Sequence, residues 1–240
     1  MKKKRTFYPY LIFIINFCYF INFFNNKILS GHLITNYSLK EGEFFLTHYT
    51  LNYLNYKLKL ADNNLIPKLG IDKKGNSFYA YKSNKFSKKL SLTEIEDIIN
   101  NPPTFENERS FLKNIIYLLH ELEINVIIIN FKNNKIAGQW DYKNRIIKLN
   151  HNLIESGTKI FTTVLNHEVI HIAQSCMNGG ISSRPKKIGL KLNIDREKDF
   201  LLSSEIYRNK SKKIILFEKE AYSYQDNLNL GLQLIKKYCL

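Results

Sequence analysis

His167, Glu168 and His171 stand in the order H-E-x-x-H, inside a run from Thr158 to Cys176 that holds neither Gly nor Pro. Leu165, Val169, Ile172 and Cys176 recur there at helical spacing, so the run predicts a helix. His167, His171 and Gln174 follow at i, i+4 and i+7 on another face. Positions four apart on a helix lie one above the other, so two imidazoles placed there can grip a single ion. Glu168 follows His167 directly and can reach a water in that ion's open position. Zinc lowers the pKa of such a water toward about 7, and a carboxylate beside it can take the proton. Asn178-Gly179-Gly180 supplies the stop, since Gly readily adopts the left-handed conformation that ends helices.

A catalytic zinc takes three protein ligands and leaves its fourth position for water. Gln174 and Met177 stand where the longer pattern H-E-x-x-H-x-x-G-x-x-H needs Gly and His, and no histidine follows His171. The third ligand is therefore expected to be a carboxylate, from Asp195, Glu197, Asp199, Glu205, Glu218, Glu220 or Asp226. Leu216 to Tyr238 reads as one long helix with an inward stripe of Ala221, Tyr224, Leu228, Leu232 and Ile235. Glu220 borders that stripe and shares a face with Tyr224, which makes it the expected ligand. Glu218, on a face with Ala221 and Gln225, and Glu205 stand behind it.

H-E-x-x-H on a helix is the pattern of zinc metallopeptidases. The chain resembles the zincin superfamily, in its gluzincin branch, through His167, Glu168 and His171 and through the pair Glu220-Ala221. The resemblance covers the C-terminal part of the chain. It implies an α+β fold: a small mixed sheet with an edge hairpin, then the H-E-x-x-H helix, then a C-terminal helix with the third ligand. It also implies Zn2+ as cofactor, a protein or peptide as substrate, and peptide-bond hydrolysis with Glu168 as general base. A hydrogen-bond donor for the developing oxyanion is expected nearby, with Tyr207, Tyr222 and Tyr224 as alternatives.

The elements needed to position these residues are legible upstream. Glu106 to Glu123 is amphipathic, with Phe111, Ile115, Leu118, Leu119 and Leu122 at helical spacing. Asn125 to Phe131 is an apolar, β-branched run, as a buried strand requires. Ile136 to Tyr142 and Arg145 to Asn150 flank Lys143-Asn144 and read as a hairpin, along which an extended peptide could bind as an added strand. Trp140 and Tyr142 are given no role, and His120 and His151 read as surface or capping residues. Ser77 to Lys82 looks like a strand. Ser91 to Glu94 forms a capping box before a short helix ending at Asn100. Lys186 to Lys213 reads as a loop with a short helix. Pro102-Pro103 marks a boundary, giving residues 1–25 as signal peptide or anchor, 26–101 as an N-terminal region of no clear plan, and 102–240 as the catalytic part.

The net charge of +15 is spread along a chain rich in Lys, Asn, Ile, Phe and Tyr, residues with AT-rich codons. It lacks the dense Arg and Lys stripe with stacking aromatics that nucleic-acid binding uses, so no specific nucleic acid is expected. Met1 to Arg5 is basic, and Phe7 to Phe24 is uncharged and almost wholly apolar, a length between a signal-peptide core and a full span. Positive charge stays inside, so the catalytic part is expected outside the cytoplasm, membrane-anchored or secreted. Cys176 and Cys239 each end a predicted helix, and a disulfide between them is conceivable in an oxidising space. Two other readings stand beside the peptidase: an inactive zinc-binding module, and a basic, membrane-tethered interaction protein.

Overall fold

The computed structural model describes residues 39–81, 90–133 and 135–240, and shows an α+β protein. In chain order the elements are β1 (Phe44–Phe45), α1 (Leu51–Leu65), β2 (Lys68–Ile71), β3 (Ser77–Ala80), α2 (Leu92–Asn100), α3 (Glu106–Glu121) and β4 (Asn125–Ile129). They continue with β5 (Gly138–Asp141), β6 (Ile146–Asn150), α4 (Asn152–Glu155), α5 (Gly157–Met177), α6 (Arg196–Leu202), α7 (Lys212–Tyr224) and α8 (Leu228–Cys239). The helix expected from Glu106, the buried strand from Asn125 and the following hairpin are all present. The apolar segment of residues 7–24 lies outside the described residues; among those described, no helix is long and apolar enough to cross a membrane.

The main sheet has the order β1-β4-β6-β5. β4 is parallel to β6 and antiparallel to β1, while β5 returns antiparallel to β6 with Trp140 opposite Ile147. Val126 to Ile129 are all buried, which is why β4 reads as a continuous apolar run rather than an alternating one. The last strand on one side is β5, and α5 packs against it. Trp140 is a core aromatic whose indole N–H donates to Ser175 Oγ at 3.0 Å. β2 and β3 pair only with each other.

The first turn of α5 is fixed from far upstream. Asp62, buried on α1, accepts from the Thr158 N–H at 2.7 Å and from the Thr158 hydroxyl at 2.6 Å. It thereby satisfies an amide that the helix itself leaves without a partner. Arg109 on α3 donates to the same carboxylate at 2.9 Å. Gly157 makes this approach possible: its φ is +85°, and a Cβ there would stand 2.7 Å from Asp62 Oδ1.

The long C-terminal helix expected from Leu216 to Tyr238 is in fact two helices, α7 and α8, separated at Gln225 to Asn227. Two side chains make the break. Asn227 caps α8 by accepting from the Leu230 N–H at 3.1 Å. Asn166, one residue before the first histidine of the motif, donates to the carbonyls of Tyr224, Gln225 and Asn227 at 3.3, 2.8 and 3.2 Å. The apolar stripe runs through both helices, so hydropathy alone does not reveal the interruption. A disulfide joins Cys176 at the end of α5 to Cys239 at the end of α8, across 63 residues of sequence.

Candidate metal centre

His167 and His171 lie on one face of α5, as their spacing requires, with their Nε2 atoms 3.1 Å apart. Opposite them, α7 brings the carboxylate of Glu218. Its Oε2 is 3.3 Å from His167 Nε2 and 3.5 Å from His171 Nε2. The residue that completes the cluster is therefore Glu218 and not Glu220. Glu220 is almost completely buried, but its carboxylate is occupied: it accepts from the Ile188 N–H at 2.7 Å, the Gly189 N–H at 2.6 Å and the Leu190 N–H at 2.9 Å. Glu205 is an exposed partner of Lys135, and Asp195 caps α6. Asp226 pairs with Lys198, and His151 stands at the start of α4 outside the cluster.

The other nitrogen of each imidazole has an amide oxygen to bond. His167 Nδ1 is 3.1 Å from Gln225 Oε1, and His171 Nδ1 is 2.7 Å from Gln174 Oε1. The Gln174 amide is held the right way round, because its NH2 donates to the Phe217 carbonyl at 2.9 Å and to Glu220 Oε2 at 3.1 Å. His171 Nδ1 is therefore a donor, and with His167 Nδ1 likewise set on an amide oxygen the two Nε2 lone pairs face each other. Two lone pairs and a carboxylate so close together need a positive charge between them, either a proton or a metal ion.

The geometry fits a metal. Ligands about 2.05 Å from a tetrahedral zinc lie about 3.3 Å apart, close to all three separations seen here. Without an ion, a proton serves. Burial opposes charge on His171, but the Glu218 carboxylate outweighs it and raises the imidazolium pKa to about 9. Burial also opposes charge on Glu218, yet the positive charge of His171 and the hydrogen bonding of the imidazoles that share its proton hold it well below the usual carboxylate range.

Glu168 is 4% exposed and lies between this cluster and the edge strand. Burial pushes its carboxyl up, against the pull of the two imidazoles. The backbone amide of Trp140 on β5 donates to it. At Gly138 the strand comes so close that a Cβ would lie 2.7 Å from Glu168 Oε1. Asn150 N donates to the Ala137 carbonyl at 2.8 Å, so alternation along β5 turns the backbone groups of Gly138 and Trp140 away from β6.

On the side opposite the strand, the Tyr207 hydroxyl donates to Glu218 Oε2 at 3.1 Å and lies 3.3 Å from the Tyr222 hydroxyl. Burial pushes both phenols up, so both stay neutral. The Tyr222 ring also packs edge-on against His167, with centroids 4.5 Å apart. Tyr224, the third tyrosine considered, instead donates to the Lys191 carbonyl at 2.6 Å, away from the cluster. Gln174 and Gln225 were both legible as face-sharing neighbours, Gln174 seven residues beyond His167 and Gln225 seven beyond Glu218. Tyr207, expected as one of three alternative tyrosines, has no local pattern that singles it out.

No curated protein and no solved structure matches the chain. A family model does match, over residues 93–240, a stretch that includes every residue of the cluster together with Glu168 and Tyr207. That stretch is more than half of the chain, and the protein thus belongs to the family described as Domain of unknown function (DUF8637).

Proposed function

We propose that this protein is a zincin-like metallopeptidase, in which His167, His171 and Glu218 hold a zinc ion and Glu168 is the general base. The observation that carries this reading is the near-equilateral triangle of two Nε2 atoms and one carboxylate oxygen, with Glu168 beside it and an edge strand against Glu168. When bound, the ion would polarise the scissile carbonyl and lower the pKa of a water. The chain's own groups supply the rest. Gln225 and Gln174 hold the imidazoles with Nε2 inward. Glu168, whose carboxyl burial pushes up, takes a proton from the water and passes it to the leaving amine. Tyr207, neutral and hydrogen-bonded at Glu218, is the donor nearest the place where an oxyanion would form. The outward edge of β5 offers its backbone to an extended peptide, which positions the bond to be cut.

The N-terminal basic and apolar sequence and the Cys176–Cys239 disulfide together support a catalytic part outside the cytoplasm, secreted or tethered to a membrane. One observation favours a zinc-binding module without turnover: His167, Glu168 and His171 are 7%, 4% and 6% exposed, which leaves little of the cluster open to a substrate.

Hydrolysis of a mixed peptide library, with and without zinc, separates the two. The peptidase reading expects zinc-dependent cleavage that Glu168→Gln abolishes while zinc stays bound. Zinc retained by the wild type with no cleavage of any peptide would replace the peptidase with the binding module.

A further inference from the structure

Glu220 has no contact with the two histidines, yet it is joined to one of them through a single side chain. Its carboxylate, 1% exposed, gathers four donors: the amides of Ile188, Gly189 and Leu190, and the NH2 of Gln174. Gln174 in turn presents Oε1 to His171 Nδ1 at 2.7 Å. The orientation of that amide decides the state of His171. Turned the other way, the NH2 would face Nδ1, which would become an acceptor, and the remaining proton would sit on Nε2. An Nε2 carrying a proton is not a metal ligand.

We infer that Glu220 is a positioning residue of the metal centre: by fixing the Gln174 amide, it keeps the proton of His171 on Nδ1 and the Nε2 lone pair toward the metal. The same carboxylate anchors the loop at Ile188 to Leu190, so the placement of this loop and the tautomer of His171 are set by one group. The inference rests on the zinc reading above. It goes beyond that reading in assigning a role to a residue that is not a ligand, and in tying the exposed loop around Gly189 to the metal.

The test is zinc affinity of the full-length chain, measured by competition with a chromophoric chelator, with near-UV circular dichroism to confirm folding. Absorption of the cobalt-loaded protein reports the ligand field. Glu220→Gln and Gln174→Leu should each weaken zinc binding about 10- to 100-fold, the range expected when a ligand's hydrogen-bonded partner is lost. Both should retain one metal per chain and shift the cobalt bands. The double variant should be little worse than either single one, because the two residues act in series. Should Glu220→Gln not fold, Glu220→Asp keeps the charge and takes its place, with an expected loss of several-fold. Wild-type zinc binding with an affinity unchanged in the folded Glu220 variant, or losses that multiply in the double variant, would overturn the inference and leave the zinc site standing. A wild type that binds no zinc would overturn both.

Discussion

Glu218 Oε2 is 3.3 Å from His167 Nε2, although 51 residues separate them and they belong to helices divided by a long basic segment. The contact depends on Asn166, next to His167, which donates to the last carbonyls of α7 and so fixes where that helix ends. One turn of α5 therefore carries both a histidine of the cluster and the residue that docks the helix bearing its partner. Gly231 on α8 completes this junction, since a Cβ there would collide with Asn166 Oδ1.

Gly138 is where the edge strand comes up against Glu168, the proposed general base. Gly138→Ala places a methyl group 2.7 Å from Glu168 Oε1 and 3.0 Å from Val164 Cγ1. Glu168 must then turn away from the water it would deprotonate. Hydrolysis is expected to fall about 100-fold, the effect of displacing a reacting group by about 1 Å. Zinc content should be unchanged, because no ligand is touched. Kinetics and metal analysis on the same preparation check both halves of this expectation.

The metal-free protein should have a defined pH dependence. His171 is raised in the fold to about 9 from an ordinary value of 6.5, so its contribution to stability is complete below 6.5 and is lost as pH rises toward 9. Glu218 is lowered, so its contribution is complete above the ordinary carboxylate range and is lost under acid. Thermal melting in chelator should therefore fall at both ends, under acid as Glu218 is protonated and toward pH 9 as His171 loses its proton. Glu218→Gln should flatten the alkaline side. Zinc competes with the same proton, so its apparent affinity should rise over the interval in which the metal-free protein weakens.

Asp62 belongs to the part of the chain before the family match, yet it holds the N-terminus of the helix that carries His167 and His171. Asp62→Ala leaves the Thr158 amide and hydroxyl unpaired in the interior and removes the partner of Arg109. The expected cost is about 3 kcal/mol, read from urea unfolding. Arg109→Ala should cost less, since Arg109 is partly exposed and Asp62 keeps its two bonds from Thr158.

Much of this arrangement was legible in the sequence, and the failures have physical causes. The motif helix, the capping box at Ser91, the hairpin and strand β4 follow from local periodicity and turn residues, and the structure has all of them. Helix α1 was missed although Leu51, Leu54, Leu58 and Ala61 recur at helical spacing, because tyrosines on its outer face blur the contrast between its sides. Glu220 borders the inward stripe in the sequence and is buried in the fold. What a linear pattern cannot show is that three amides of a distant loop occupy its carboxylate, which leaves Glu218, two residues earlier, facing the histidines. Tyr207 lies in a lysine-rich stretch with no periodicity and reaches the cluster only through the path of the chain after α6.

The most direct test of the account is the metal content of the purified full-length chain, wild type beside Glu218→Ala and Glu220→Ala. One zinc per wild-type chain is expected, with loss of the metal in Glu218→Ala and a weakened but still stoichiometric site in Glu220→Ala. A folded wild type that takes up no zinc would contradict it and reduce His167, Glu218 and His171 to a buried ion-paired cluster. Loss of zinc in Glu220→Ala with full retention in Glu218→Ala would contradict the ligand assignment.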